Sequence, residues 1–393
     1  MIFLENSKKK LNIPFKNFNL SIIMQPNFTQ LLTTQLFSNE IVKETLTKVL
    51  IQDVENEPNK DYNKKYGTPV AVIDLGTNIC RLLIADKIQN LEYLEATEIS
   101  FSKSNNENLN FRILHQEKIT VKIGQGGISE GLIGQAAQIR LLDALQRFRF
   151  TLDKYQIREE NIFAAATSAM RNASNQNELL DQIKQETNLD LQIISGEQEA
   201  EYIYKGVRLG MDIGEEIALM MDIGGGSVEF ILCNKHKIFW KHSFEVGAQR
   251  LLDMFMPNDP IKPQEIKRLE NYLEDKLIPL ANAIHQYTPT FLIGSSGTFD
   301  TIHDIKLAKN NIDKLNNTAN AEFSKQEFLE IYYDFIHKNK QERLKISGMK
   351  EMRVEMIVVA SCLINFILEK YNLSRVCVSR YGLKEGLLNE ILN

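Results

Sequence analysis

The chain contains two similar segments, whose aspartates are 148 residues apart, in which an apolar run ends in aspartate and a glycine-containing turn follows. These segments are 70–78 and 219–227, and a second apolar run comes after each turn. The pattern predicts two β-hairpins. Glycine lets backbone amides approach a phosphate group closely, and the aspartate before it offers a carboxylate to a metal ion. Two such hairpins facing each other would hold a phosphate and its cation.

Three further segments add groups that suit phosphate chemistry. A run of small residues, 164–175, delivers Arg171 at the start of a helix, where a guanidinium fork is a good partner for phosphate. Ser195 is predicted to cap another helix, and a helix-capping role is enough to explain Glu197 in the first turn of that helix. A third strand, glycine turn and helix start are predicted over 291–298.

The elements that would position these groups occur twice in the same order. Strands, a crossover helix and a second set of strands indicate two α/β domains built on one plan, with the site in the cleft between them. We expect a mixed five-stranded sheet in each domain, with Asp74 and Asp222 facing across the cleft. The predicted organisation is an N-terminal extension and linker, then domain I, then domain II, whose last helix packs back on domain I, with the bounds 1–66, 67–192 and 193–393.

Composition excludes several classes of protein. The 393 residues include 46 Lys and Arg against 51 Asp and Glu, and the net charge of −5 argues against a broad nucleic-acid surface. Four cysteines without C-x-x-C spacing and six scattered histidines argue against a zinc site or a disulfide framework. The apolar stretch 356–368 is too short to span a bilayer. We therefore expect a cytoplasmic protein with neither nucleic acid nor membrane as its partner.

Taken in this order, the motifs resemble those of the exopolyphosphatase and guanosine pentaphosphate phosphohydrolase family, in its short two-domain form. This family belongs to the actin-like ATPase superfamily, with the sugar kinases and heat-shock chaperones. The resemblance extends from about Thr68 to Leu388, and it is the ordered set of motifs that makes it specific. It implies two ribonuclease-H-like domains with an interdomain cleft.

The resemblance also implies roles for individual residues. Glu199 matches the general base that activates the attacking water, and Arg171 matches an arginine that binds phosphate. Magnesium, with manganese as the alternative, would be bound by Asp74, Asp222 and Glu229. The predicted phosphate-binding residues are Gly76, Thr77, Asn78, Gly224, Gly225, Gly226 and Ser227. The predicted loop on the nucleoside side consists of Gly294, Ser295, Ser296, Gly297 and Thr298.

The implied activity is hydrolysis of a terminal phosphoanhydride bond, for which charge neutralisation and an oriented water are required. Inorganic polyphosphate is the first substrate hypothesis. Guanosine pentaphosphate, hydrolysed to the tetraphosphate of the stringent response, is the alternative, since both present the same terminal bond. A non-catalytic alarmone or phosphate sensor is a hypothesis of another class, and a sugar-kinase-like phosphotransferase is the weakest. The family pattern suggests a homodimer.

Overall fold

The computed structural model describes four segments of the chain, which are 66–89, 111–127, 131–312 and 320–392. The extension and linker predicted for 1–66 lie outside the described residues, apart from Tyr66. Across the described segments, no helix combines the length and the apolar character that crossing a membrane requires. The regular structure forms two mixed sheets with helices packed against them.

The first sheet has five strands, as predicted, in the order β3-β2-β1-β4-β5. Strands β1 to β3 form an antiparallel meander, and β4 and β5 extend the sheet in parallel with β1. The strands are β1 Val70–Leu75, β2 Ile79–Lys87, β3 Phe111–Thr120, β4 Ile162–Ala166 and β5 Leu191–Ile193. The helices of this lobe are α1 Gln135–Lys154, α2 Ser168–Arg171 and α3 Gln176–Thr187.

The second sheet repeats this plan but has six strands, one more than predicted, in the order β10-β11-β9-β6-β7-β8. The additional strand, β10, lies antiparallel at the edge against β11. The strands are β6 Ala218–Ile223, β7 Val228–Cys233, β8 Ile238–Phe244, β9 Phe291–Ser295, β10 Asn320–Ser324 and β11 Arg375–Ser379. The longer helices of this part of the chain are α4 Gly196–Gly210, α5 Ala248–Phe255, α6 Pro263–Lys276, α7 Ile278–Tyr287, α8 Ser296–Lys309 and α9 Lys325–His337. They are followed by α10 Lys340–Arg343, α11 Met356–Lys370 and α12 Leu383–Leu392.

Strands β1 and β6 are buried along their whole length because both faces of each sheet are covered. In β1, Ile73 faces one apolar core and Val72 faces another. A run of apolar residues without polar alternation is what such a doubly covered strand requires. Both strands end in a glycine turn, so the packing of each core fixes where its turn lies.

Helix α12, the last in the chain, contacts both lobes. Its Leu387 and Leu388 share an apolar core with Val70 of β1. It also crosses α4 at very short range, since a Cβ added at Gly386 would lie 1.8 Å from the carbonyl oxygen of Tyr202. Only glycine permits backbones to approach this closely, so this residue sets the spacing of the two helices.

Candidate active site

The two hairpin turns are closed in the same way. The amide of Gly76 donates to the carbonyl of Ile79 at 3.1 Å, and the amide of Gly224 donates to the carbonyl of Ser227 at 3.0 Å. These two amides are therefore used within the turns. The cradle predicted from the sequence then depends on the amides that follow them.

The second turn is held against the N-terminus of α5. The carbonyl oxygens of Gly224, Gly225 and Gly226 accept hydrogen bonds from the amides of Ala248, Gln249 and Gly247. In a trans peptide the carbonyl and the following N–H point in opposite directions. The amides of Gly225, Gly226 and Ser227 therefore point away from α5. This aligned row of donors is the arrangement that binds an anion.

The first turn is anchored similarly and touches the second. The carbonyl of Asn78 accepts hydrogen bonds from the amides of Val121 and Lys122 at 2.9 and 3.1 Å. A Cβ added at Gly225 would lie 2.5 Å from Nδ2 of Asn78 and 2.9 Å from Cβ of Thr77. The two predicted phosphate turns are thus in direct contact at this point.

Glu199 is placed by a capped helix. Ser195 and Gln198 form a reciprocal capping box at the start of α4, which brings Glu199 to the buried side of the first turn. Burial raises the pKa of Glu199 well above its usual value, and the negative charge of Glu229 raises it further. A hydrogen bond from Nη1 of Arg171 to Oε2, at 3.1 Å, opposes this rise.

Arg171 was predicted at the start of a helix, but it is the last residue of the short helix α2, and it contacts two other groups. Its Nη1 also donates to the carbonyl of Ile194 at 3.0 Å, and its Nη2 lies 3.7 Å from Oε1 of Glu245. The first bond fixes the guanidinium beside Glu199. The structure therefore brings together the predicted base and the predicted phosphate-binding arginine.

Asp222 and Glu229 are cross-strand neighbours in the second hairpin. Burial raises the pKa of Asp222 to about 6, although a 2.5 Å hydrogen bond from Ser295 stabilises its ionised form. Burial and the charge of Asp222 raise the pKa of Glu229 to about 7. Oε1 of Glu229 accepts hydrogen bonds of 2.7 Å from the hydroxyls of Ser227 and Ser243. The Ser227 hydroxyl is therefore directed at Glu229.

In the first hairpin, the residue opposite the aspartate is an arginine, whereas in the second hairpin it is a glutamate. Asp74 is the cross-strand neighbour of Arg81 and forms an ion pair with it at 2.8 Å. Sequence reasoning missed Arg81. The signal was present, because the 148-residue repeat that aligns Asp74 with Asp222 also aligns Arg81 with Glu229. The charge of Asp74 contributes to the raised pKa of Asp222, and the turns that follow these two residues are in contact through Gly225 and Asn78.

The third glycine segment forms the junction between β9 and α8. Gly294 packs on Phe299, and a Cβ added at Gly297 would lie 2.3 Å from Nη2 of Arg353. Burial, and next the charge of Arg81, lower the pKa of Arg353 to about 10. Ser296 has a φ of +77°, and Thr298 is buried. Through Ser295, this segment is joined to Asp222.

The carboxylates of this site suit magnesium better than a metal ion whose ligands all come from the protein. Among the described residues, no three His, Cys, Asp or Glu side chains converge on one point. Magnesium characteristically takes one or two carboxylates and fills its shell with water and phosphate oxygens. Burial and a neighbouring carboxylate, Asp74 for Asp222 and Asp222 for Glu229, hold the pKa of these two acids above the usual range, and a divalent cation would stabilise their ionised forms.

Two related α/β lobes, with acids and arginines where their turns meet, are the arrangement of a two-lobed phosphohydrolase. Residues 102–393 match the Ppx/GppA phosphatase family. The chain belongs to this family, which confirms both the resemblance and the class of enzyme predicted from the sequence.

The similar proteins agree with this assignment. The bifunctional 3-dehydroquinate synthase/phosphatase of Fusobacterium nucleatum is 29% identical over 337 residues, which are 82% of this chain. The chain spans only 46% of that protein. The putative exopolyphosphatase of Haemophilus influenzae is 24% identical over 320 residues, which are 81% of this chain and 90% of that protein.

Solved structures show the same fold. An exopolyphosphatase from Cytophaga hutchinsonii, known from a crystal structure, is 39% identical in sequence to this chain and has a TM-score of 0.74. The match covers 83% of this chain and 98% of that chain. A Ppx/GppA family member from Aquifex aeolicus, 23% identical, has a TM-score of 0.64 and covers 83% of this chain and 98% of that chain. The first of these also bears on activity, whereas the second supports the fold alone.

Proposed function

We propose that the protein is an exopolyphosphatase, which hydrolyses the terminal phosphoanhydride bond of inorganic polyphosphate. The observation that carries the proposal is the buried Glu199, whose raised pKa and contact with Arg171 suit a general base beside a bound phosphate. A non-catalytic sensor needs no such base, and a capping role would leave the side chain in solvent.

The roles follow from the geometry. Glu199 accepts the proton of the attacking water, a contribution typically worth about 10²-fold to 10⁴-fold in rate. Arg171, held by the carbonyl of Ile194, neutralises charge on the terminal phosphate. The aligned amides of Gly225 and Gly226 bind its oxygens. Contact between the two turns limits the space available to water other than the nucleophile.

Asp222 and Glu229, with Asp74 nearby, would hold Mg²⁺ or Mn²⁺ at this site. When bound, the cation supplies charge neutralisation for the phosphate oxygens and the leaving group. Ser295 orients Asp222, while Ser227 and Ser243 orient Glu229. These hydroxyls stabilise the ionised carboxylates, and it is these that can bind a cation.

We favour polyphosphate over guanosine pentaphosphate as the substrate hypothesis, because the similar proteins from C. hutchinsonii and H. influenzae are described as exopolyphosphatases. Guanosine pentaphosphate presents the same terminal bond, so the groups around Glu199 would act on it in the same way. It therefore remains the alternative substrate in the test.

The test is phosphate release by the purified full chain with magnesium, using short polyphosphate, long polyphosphate and guanosine pentaphosphate. We expect release from polyphosphate, and a fall in kcat of about 10²-fold to 10⁴-fold in Glu199→Gln, as for loss of a general base. Glu201→Gln is the matched control, because Glu201 lies on the same helix but is exposed and paired with Lys241.

Each other outcome has a meaning. Release from guanosine pentaphosphate alone would replace polyphosphate with the nucleotide. Equal activity of the wild type and Glu199→Gln would refute the general-base role. No release from any substrate, together with tight binding of a guanosine nucleotide, would favour the sensor.

A further inference from the structure

Glu245, in the loop after β8, is held by groups from both lobes. Its Oε2 accepts hydrogen bonds from the hydroxyl of Ser168 at 2.9 Å and from Nη2 of Arg250 at 2.8 Å. Its Oε1 lies 3.7 Å from Nη2 of Arg171. Ser168 and Arg171 belong to α2 of the first lobe, whereas Glu245 and Arg250 belong to the second. The carboxylate of Glu245 therefore contacts one hydroxyl and two guanidinium groups, which come from both lobes.

This donor set is one that a phosphate group would also use, because guanidinium forks and hydroxyls match phosphate oxygens. It lies beside the proposed catalytic groups. Nη1 of Arg171 donates to Oε2 of Glu199, and Nε of Arg250 donates to the carbonyl of Gly226 at 3.3 Å. The Glu245 carboxylate thus occupies donors that lie next to both the base and the phosphate turn.

The exposures of these groups differ in a way that favours exchange. The side chain of Glu245 is 40% exposed, whereas those of Arg171 and Arg250 are 19% and 14% exposed. A carboxylate at the mouth of the site can rotate into water, where it is well solvated. The two arginines are held by carbonyl groups and would stay in place.

One donor of the set is left unsatisfied by Glu245. Nη2 of Arg171 is buried and has no hydrogen-bond acceptor among the described residues. Its 3.7 Å separation from Oε1 of Glu245 is an ionic contact but too long for a hydrogen bond. A buried donor without an acceptor is unfavourable, so a phosphate oxygen that reached it would gain a bond that Glu245 does not supply.

We propose that Glu245 competes with the terminal phosphate for Ser168, Arg171 and Arg250, and thereby limits the affinity of the site for phosphate. The inference rests on the proposed function, since it places the terminal phosphate beside Glu199. When phosphate binds, the Glu245 carboxylate leaves for solvent. When product phosphate departs, Glu245 returns to the same donors, which favours release of the product.

The experiment measures binding of inorganic phosphate to the full-length protein by titration calorimetry, for the wild type, Glu245→Gln and Glu201→Gln. Glutamine keeps the shape of the side chain but removes the charge that attracts the arginines. We expect the dissociation constant of phosphate to fall about tenfold in Glu245→Gln, as when a charge-assisted hydrogen bond no longer has to be broken. The control should bind phosphate as the wild type does.

The opposite result is equally informative. Unchanged or weaker phosphate binding by Glu245→Gln, with an unaltered melting temperature, would mean that Glu245 orients the arginines, and it would overturn the proposal. Absence of phosphate binding by both proteins would overturn it as well.

The test also separates this inference from the proposed function. If wild-type protein hydrolyses none of the substrates but Glu245→Gln still gains affinity for phosphate, the competition stands and the hydrolase proposal fails. If Glu199→Gln abolishes turnover while Glu245→Gln leaves phosphate affinity unchanged, the reverse holds.

Discussion

Replacing Gly225 with alanine is expected to push the two phosphate turns apart. The new Cβ would lie 2.5 Å from Nδ2 of Asn78 and 2.9 Å from Cβ of Thr77. Carbon atoms in ordinary contact are about 3.5–4.0 Å apart, so the turns would have to separate by about 1 Å. Asn78 cannot yield easily, because its Nδ2 contacts Sδ of Met356 at 3.0 Å and its carbonyl accepts two backbone amides.

Two consequences of this movement can be measured. Overpacking of this kind costs about 1–3 kcal/mol of stability, which should lower the melting temperature by several degrees. A displacement of about 1 Å at reacting groups costs about 10²-fold in rate, so kcat for phosphate release should fall by that order. Thermal unfolding and steady-state phosphate release on the same preparation test both.

Gly134→Ala is the matched control. A Cβ at Gly134 would meet no atom within 4 Å, and its φ of −68° is ordinary for alanine. This variant should keep the wild-type melting temperature and turnover. If Gly225→Ala also kept both, the close contact between the turns would not be needed for catalysis, and the reasoning would be refuted.

Magnesium should stabilise the protein more at about pH 8 than at about pH 5. Burial raises the pKa of Asp222 from 3.8 to about 6 and that of Glu229 from 4.5 to about 7. The folded state therefore holds these protons more tightly than the unfolded state does, and the stability that this gives below the unfolded pKa values is lost as pH rises through the folded ones. Magnesium binds the ionised carboxylates and should restore this loss. Melting temperatures with and without magnesium test this, and an equal effect at both pH values would contradict it. Gly386→Ala should destabilise the protein by about 1–3 kcal/mol or more, because its Cβ would lie 1.8 Å from the carbonyl oxygen of Tyr202. Since alanine is otherwise favoured over glycine in a helix, a higher melting temperature would show that α4 and α12 can separate without cost.

The amino-acid sequence determined the parts of the site that depend on local structure. A run of apolar residues followed by glycine specifies a buried strand and a tight turn without distant contacts, which is why the hairpins that contain Asp74 and Asp222 were predictable. The capped start of α4 at Ser195 is local in the same sense. The repeat gave the two-lobed plan, because a second copy of the same pattern must fold by the same rules.

Strand membership was less accessible to sequence reasoning. The predicted boundary between the domains, at 192 and 193, falls within β5, which completes the first sheet by pairing with β4. The sixth strand of the second sheet, β10, pairs with β11, which is distant in sequence. Pairing between strands is set by packing and chain connection, and no pattern within a single strand specifies its partner.

Only the tertiary structure decided which groups meet. Ser295 reaches Asp222 across 73 residues of sequence, and Ser243 joins Ser227 at Glu229. The raised pKa values depend on burial, which the whole fold creates. Glu245 reads as an ordinary loop acid until the fold brings Ser168 of the other lobe to it. Sequence specifies residue types and local geometry, whereas charge, solvation and distance within a cleft depend on residues that only folding brings together.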